Sequence, residues 1–502
     1  MNFAGFFELH ARGNPERMAI ADSRRRLSFG ELNELSNALA NGLVQAGLGK
    51  GDRLAICLLN RVELAIALLA CFKSGIIAAP LNWRLQGPDL ARIVQHAAPS
   101  CLLTTQSRRQ ELKDVGLPLV LEVSDDAASG SFWDLIGRSS RKFDSIGCQA
   151  KDIANLLYTS GTTSTPKAAI HTHGMRVAIA GSMADCFKLS RRDKALAISP
   201  LFHTGGMSVF ANAIFSGCSC YLMEKWDVRE FLRIIDAEEI TFMHLIATLV
   251  VDIASAPPEL FKGLKSKVRM VWGGGHNVDV AVLKTFEDRL GGALLLGYSR
   301  TEGGLTYNKL DRAERSFEHN GFQNTNSSEV AIFDAAGEKC PAGTIGEIAV
   351  RGDGVTPGYW DNQYVRKPRL IDDSWQPTGD LGYFDPDGAL HFIGRNDEMI
   401  KTGGENVYPS EVAAALLSVA GISDAAVFGL PDARMGQKVA ALLVRSDPAL
   451  TMEAVDKQVR SLLGGFKIPR AAAFVDELPR LGSQKIDYAA CRRLLQTQPE
   501  QK

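Results

Sequence analysis

Between residues 30 and 150 the chain switches hydrophobic period again and again, and that alternation restricts its fold more than any other feature. Residues 31–46 carry apolar side chains at helical spacing and end in the glycine-rich stop Gly47-Leu-Gly-Lys-Gly51. Arg53-Leu-Ala-Ile-Cys-Leu-Leu59 is then a continuous apolar run of strand length, and residues 63–73 return to a helix. A strand that is apolar on both faces needs cover on both, and helices between such strands supply it. The alternation therefore predicts βαβ units around a mostly parallel sheet. The pattern recurs through 194–199, 231–237, 241–245, 267–272 and 293–296.

From about residue 325 the texture changes. Short strand-like runs at 329–333, 346–351 and 389–393 alternate with turn clusters such as Asp385-Pro-Asp-Gly388, which predicts a β subdomain over about 325–394. After Gly394-Arg395-Asn-Asp397 helix and strand signals resume, at 409–419 and 425–429. The expected division is an N-terminal domain over 1–394, a hinge at 395–397 with Asp397 in it, and a C-terminal domain over 398–502. No internal repeat is visible, and the polar tail 496–502 is the one biased segment.

Composition narrows the function. At 502 residues the chain exceeds one compact core and should hold two or three domains. Its 56 basic and 57 acidic residues leave a formal charge of −1, so neither nucleic acid nor an anionic membrane is an expected partner. Nine cysteines include no Cys-x-x-Cys pair, which argues against a zinc site or a disulfide framework. Cys218 and Cys220 read as small buried side chains, and His171-Thr-His173 lacks a third ligand at metal spacing. The apolar stretch 64–72 stops at Lys73, far short of a membrane span, and reads as a buried helix. The N-terminus lacks a basic start and a long apolar run, so a cytoplasmic location is expected.

The apolar run Ile153-Ala-Asn-Leu-Leu157 empties into Tyr158-Thr-Ser-Gly-Thr-Thr-Ser-Thr-Pro-Lys167. Hydroxyls and backbone N–H groups donate to phosphate oxygens and a lysine adds a point charge, so this loop is suited to phosphate. A P-loop would put Ser or Thr directly after the lysine and open a helix there. Here Lys167 is followed by Ala-Ala-Ile-His-Thr-His, which reads as a strand and a turn. On its own such a loop is more often a plain surface turn.

Further motifs follow in order. Pro200-Leu-Phe-His-Thr-Gly-Gly206 sets His203 in a glycine-rich turn after a strand, and Gly297-Tyr-Ser-Arg-Thr-Glu302 follows the apolar run 293–296. Thr378-Gly-Asp380 leads into Gly382-Tyr-Phe-Asp385, Gly394-Arg395 precedes Lys401-Thr-Gly-Gly-Glu-Asn-Val-Tyr-Pro409, and Leu478-Pro-Arg-Leu-Gly-Ser-Gln-Lys485 comes last. In this order and spacing, from about Phe29 to Lys485, the chain resembles the adenylate-forming superfamily of acyl-CoA synthetases, peptide-synthetase adenylation domains and luciferases, and most of all the acyl- and aryl-CoA ligases.

That resemblance implies an α/β fold with a large N-terminal domain of helix-covered mixed sheets, a β subdomain, and a small mobile α+β C-terminal domain. It implies activation of a carboxylate by ATP to an acyl-adenylate, with Mg2+, and transfer of the acyl group to CoA. Thr159, Ser160, Gly161, Thr162, Thr163, Ser164 and Lys167 would cradle the β- and γ-phosphates. Glu302, with Thr301 beside it and Thr162 opposite, matches the magnesium position. Tyr298 would lie against adenine, while Asp380 and Arg395 would reach the ribose. Lys485 would bridge carboxylate and α-phosphate, Asp397 would sit at the hinge, and Gly403 and Gly404 would line the pantetheine tunnel. The acyl pocket would draw on His203, Thr204, Met207, His244, Trp272, Gly273, Gly297 and Ser299.

The chain also departs from the pattern. Ser164 and Ala168 stand where the family loop has glycines, Ser299 replaces the glycine of Tyr-Gly-x-Thr-Glu, Gln484 precedes the lysine, and Met435 stands where an aromatic is frequent. Losing glycines near the nucleotide suggests weak adenylation, hence a ligase that thioesterifies preformed acyl-adenylate. Other readings are an enzyme that loads a carrier protein in trans and a catalytically silent nucleotide-binding protein. The first expectation remains a carboxylate–CoA ligase. Trp272 suggests a flat wall for an aryl or bulky hydrophobic acid, and no acidic side chain is placed to bind an α-ammonium group.

Overall fold

The computed structural model describes residues 2–112, 115–125, 129–159, 167–273, 278–308, 310, 316–324, 326–361, 364–481 and 486–497. The alternation builds two large sheets. The first has eight strands in the order Tyr364–Arg366, Tyr359–Asp361, Lys167–Thr172, Ile153–Thr159, Ile77–Pro80, Arg53–Cys57, Cys101–Thr105, Val120–Val123. Neighbours from Ile153–Thr159 to Val120–Val123 run parallel, and the other pairs run antiparallel. The second has seven, ordered Ala293–Leu296, Met270–Gly273, Phe242–Leu245, Lys194–Ala197, Ser219–Leu222, Met18–Ala21, Arg26–Ser28. Only its last pair is antiparallel.

Helices join the sheets through one apolar core. Phe29–Gln45 starts in a capping box, with Ser28 Oγ accepting from Glu31 N–H and the Glu31 carboxylate accepting from Ser28 N–H. Val62–Ser74 is buried at every position, as an all-round apolar helix must be, and ends at left-handed Gly75. Leu54 and Ile56 of one sheet and Ala195 and Phe242 of the other share a core with it.

That helix buries two charged side chains, Glu63, paired with Arg61, and Lys73. Lys73 is fully buried, and its Nζ donates to Asn33 Oδ1 and Asn37 Oδ1 at 2.7 Å and to Ser36 Oγ at 2.8 Å. Burial pushes the ammonium down to about 7, and the three side-chain acceptors, all on Phe29–Gln45, hold it in place. Lys73→Met would leave those acceptors without a donor, each at a cost of about 1–3 kcal/mol. A lower urea midpoint, with about 3 kcal/mol or more lost, is the expected result, and an unchanged midpoint would show that the acceptors re-pair locally.

The β subdomain is a four-stranded antiparallel sheet of Glu329–Phe333, Gly346–Arg351, Gln376–Phe384 and Leu390–Arg395. Asp385-Pro-Asp-Gly388 is the turn expected between the last two, with Gly388 in left-handed backbone. From Ile400 onward a separate sheet forms from Glu405–Val407, Ile400–Thr402, Gly436–Arg445, Ile422–Asp432 and Ala471–Val475. It has its own core, in which Val412, Val427, Ala441 and Val459 are buried together. No helix among the described residues is long and apolar enough to cross a membrane.

Candidate active site

Three chain segments converge on one side of the large sheets. The first is the antiparallel hairpin of Ile153–Thr159 and Lys167–Thr172, closed by the pair Thr159↔Lys167. The strand after Lys167 is the one expected from sequence. Ser160, Gly161, Thr162, Thr163 and Ser164 lie outside the described residues. Ala168 is fully buried, pairs with Tyr158 and Trp360, and adds its methyl to their core. It is absent from the positive-φ positions, so its backbone makes no demand for glycine.

The second segment, residues 297–302, leaves the end of Ala293–Leu296 and is pinned onto that hairpin. His171 Nε2 lies 2.8 Å from Thr301 O, Tyr359 O–H donates to Glu302 Oε1 at 2.8 Å, and Thr356 N–H donates to Glu302 O at 2.8 Å. Burial holds His171 well below the ordinary histidine value, so it is neutral and presents Nε2–H to that carbonyl. Ser299 is exposed and also lies outside the positive-φ positions. A serine therefore fits where the family has glycine.

The third segment is the pair of strands Gln376–Phe384 and Leu390–Arg395, in which Asp380 faces Arg395 in register. The Thr-Gly-Asp motif, which reads as a turn in sequence, lies inside the first strand. Gly379 at φ +75° bends the strand and makes room for the Arg395 guanidinium. Asp380 is 5% exposed, accepts from Tyr298 O–H at 2.6 Å and from Arg395 Nη1 at 3.1 Å, and lies 3.7 Å from Arg300 Nε. Tyr298 stacks on Phe392 at 6.0 Å, and burial together with the Asp380 charge holds its phenol well above the ordinary value.

Sequence reasoning left two members of this cluster unassigned. Tyr359 is set by Pro357-Gly358 at the start of Tyr359–Asp361, one strand in from the sheet edge, and its role depends on the fold placing that strand beside Lys167–Thr172. Arg300 lies between Glu302 and Asp380, with Nη2 at 3.5 Å from Glu302 Oε2. Its place between Tyr298 and Glu302 in the same short motif was the available signal.

Several of the residues expected to line an acyl pocket pack against one another. The expected turn is present, with His203 N–H donating to Pro200 O at 2.9 Å, but the glycines that follow belong to the first turn of a helix. His203 is the residue before Thr204–Ser216, in extended backbone, with its ring 4.3 Å from that of Phe202. This places Gly205 against the His244 ring and Gly206 against the carbonyls of Ser199 and Pro200, and buries Met207. His244 packs at 4.7 Å on Trp272, and its Nδ1 lies 3.1 Å from Ser199 Oγ. Burial pushes His244 down to about 4, so its ring is uncharged at neutral pH. Trp272 is 2% exposed, its Nε1–H lacks a hydrogen-bond partner among the described residues, and Gly297 faces that nitrogen. Gly273 abuts the Leu245 carbonyl, where a side chain would collide.

In the C-terminal sheet, Gly403 at φ +60° and Gly404 at φ +89° form the two-residue turn between Ile400–Thr402 and Glu405–Val407. Such a turn demands left-handed backbone at both positions, a local reason for glycine independent of any tunnel. Met435 packs on Gly403, while the Cβ direction of Gly404 is open. Asp397 accepts from Arg395 Nε at 3.1 Å on an exposed edge. Lys485 lies outside the described residues.

Comparisons fit this geometry. The profile of the AMP-binding enzyme family matches residues 7–360, and that of the AMP-binding enzyme C-terminal domain matches 411–485. The chain is 31% identical to a 2-succinylbenzoate–CoA ligase of Bacillus licheniformis, over 97% of this chain and 98% of the relative. It is 31% identical to a feruloyl-CoA synthase of Amycolatopsis, over 96% and 97%. Among solved structures, ATP-bound MatB from Rhodopseudomonas palustris superposes with a TM-score of 0.89 at 28% identity, covering 99% of each chain. The o-succinylbenzoate CoA synthetase of Bacillus subtilis in complex with its acyl-adenylate intermediate superposes at 0.86, with 27% identity and 99% of each chain covered.

Proposed function

We propose residue roles and a substrate class for this chain from the premise that it belongs to the AMP-binding enzyme family. It is an AMP-forming carboxylate–CoA ligase that uses ATP, magnesium and CoA. The carboxylate displaces pyrophosphate from ATP to give an acyl-adenylate, and the CoA thiol then displaces AMP.

One observation carries the assignment of roles: the clamp of Tyr298, Asp380 and Arg395 beside Glu302. Asp380 is a buried, fixed acceptor, the chemistry that ribose hydroxyls need. Tyr298 and Arg395 keep it oriented, and the Tyr298 ring offers an aromatic face for adenine. Magnesium offsets charge on the phosphates when bound. Glu302 fits that ion: Tyr359 takes one of the roughly four acceptor sites of its carboxylate, and Arg300 attracts it from 3.5 Å without closing a hydrogen bond, so the other sites stay open. Thr162 and the rest of the 159–164 loop, with Lys167, would hold the remaining phosphates. The small domain, 398–502, would swing at 395–397 to deliver Lys485 for adenylation and then Gly403 and Gly404 for CoA.

For the acid, an uncharged wall of His244 and Trp272 favours an aryl or bulky hydrophobic carboxylate. The idea of a chain restricted to preformed adenylates loses its support at Ala168 and Ser299, where no backbone strain attends the missing glycines. The purified enzyme should turn over ATP, Mg2+ and CoA with a panel of such acids, giving acyl-CoA and one pyrophosphate per turnover. Product on a carrier protein but never on CoA would overturn the assignment. Trp272→Ala should lower kcat/KM for the preferred aryl acid by roughly 10- to 200-fold and favour longer acids. An unchanged preference order would make Trp272 a core residue only.

A further inference from the structure

Arg300 has no role in the reaction as described so far, yet it stands at its centre. Its side chain is 11% exposed, and the guanidinium lies between the carboxylates of Asp380 and Glu302. If its purpose were to tie those two together, its N–H groups would sit within hydrogen-bond distance of both. They do not: Nε is 3.7 Å from Asp380 Oδ2, and Nη2 is 3.5 Å from Glu302 Oε2. Coulomb attraction centres the group while most of its donor capacity is unspent. The remaining nitrogen, Nη1, is buried and has no hydrogen-bond partner among the described residues. A buried charged donor left without an acceptor is costly, so the site is built for an incoming oxygen.

The position of that oxygen follows from the two neighbours. Asp380 faces the sugar and Glu302 faces the metal and phosphates, so an anion between them is the phosphate attached to the ribose. Two carboxylates alone would repel it. A planar, always-charged fork between them removes the repulsion and supplies N–H groups matched to phosphate oxygens. We propose that Arg300 is a phosphate-binding residue: held between Asp380 and Glu302, it donates Nη1–H to the phosphate of AMP and of the acyl-adenylate. The assignment rests on the nucleotide site described above. It makes adenylate retention partly independent of magnesium, because the contacting cation belongs to the chain.

The test compares AMP with adenosine, by calorimetry with EDTA present so that no metal contributes. The quantity read is the ratio of the adenosine Kd to the AMP Kd, which isolates the phosphate. In Arg300→Met this ratio should fall roughly 10- to 100-fold, the worth of a charged hydrogen bond, with adenosine affinity unchanged within about twofold. Arg300→Lys, which keeps the charge and loses the fork, should recover part of the ratio and guards against a misfolded Met variant. The double variant Arg300→Met/Glu302→Gln separates contact from screening. If Arg300 touches phosphate the ratio stays low when the Glu302 charge is removed. Recovery of the ratio in the double variant, an unchanged ratio in Arg300→Met, or equal weakening of AMP and adenosine would each overturn the proposal. Failure of the unmodified enzyme to bind either ligand would instead overturn the nucleotide site itself.

Discussion

Replacing Asp380 by alanine should lower kcat/KM for ATP by about a thousandfold. Two ribose hydroxyls would each lose a bond to a charged acceptor, worth about 1.5–3 kcal/mol apiece, which multiplies to a factor of roughly 10²–10⁴. The loss also strips Arg395 and Arg300 of a carboxylate partner and Tyr298 of its acceptor. Asp380→Asn keeps the shape and the Tyr298 contact but drops the charge, so its loss should be smaller, about 10- to 100-fold. The decisive measurement uses ATP lacking one ribose hydroxyl. The unmodified enzyme should be penalised by that deletion and Asp380→Ala should be indifferent to it. If the variant is penalised as strongly as the unmodified enzyme, Asp380 is not the ribose acceptor and the clamp has another purpose.

Period changes in the first half of the chain made its parallel sheets legible, because burial on both faces leaves a pattern that local sequence records. Val62–Ser74, apolar all round, could hardly be anything but a helix between sheets. Asp380 and Glu302 stood out in sequence through the order of the motifs, and the fold brings both to one cluster around Arg300. The site was illegible where the meaning depends on a neighbour hundreds of residues away. Tyr359 acquires a role only because its strand pairs with Lys167–Thr172 and so reaches Glu302. Arg300 could not be told from a solvent-facing arginine until the two carboxylates were placed around it.

Two misreadings have the same origin. The glycines after His203 suggested a turn, yet Gly205 and Gly206 begin a helix, their missing side chains making space for His244 and for the carbonyls of Ser199 and Pro200. Glycine there serves close packing rather than backbone freedom. The missing glycines at Ala168 and Ser299 suggested weak adenylation, yet neither position takes a positive φ, while Ser164 lies outside the described residues. Composition reports that a glycine is present or absent, and only the fold says whether φ or space required it.

Lys485→Ala should separate the two half-reactions. The adenylation transition state builds charge on the α-phosphate and the displaced pyrophosphate, and a single preorganised cation removed from such a site costs about 100- to 1000-fold. Carboxylate-dependent ATP–pyrophosphate exchange should fall by that factor. Thioester formation from a supplied acyl-adenylate should stay within about threefold, because in the thioester-forming orientation the proposed contacts come from the other face of the small domain. ATP affinity should hardly change, since Asp380, Tyr298 and Arg395 all lie outside the small domain's sheet. Overall turnover would then be limited by adenylation, and adding acyl-adenylate would restore acyl-CoA synthesis. A parallel fall in both half-reactions would mean that Lys485 supports the small domain's structure rather than one chemical step, and the two-orientation reading would lose its best evidence.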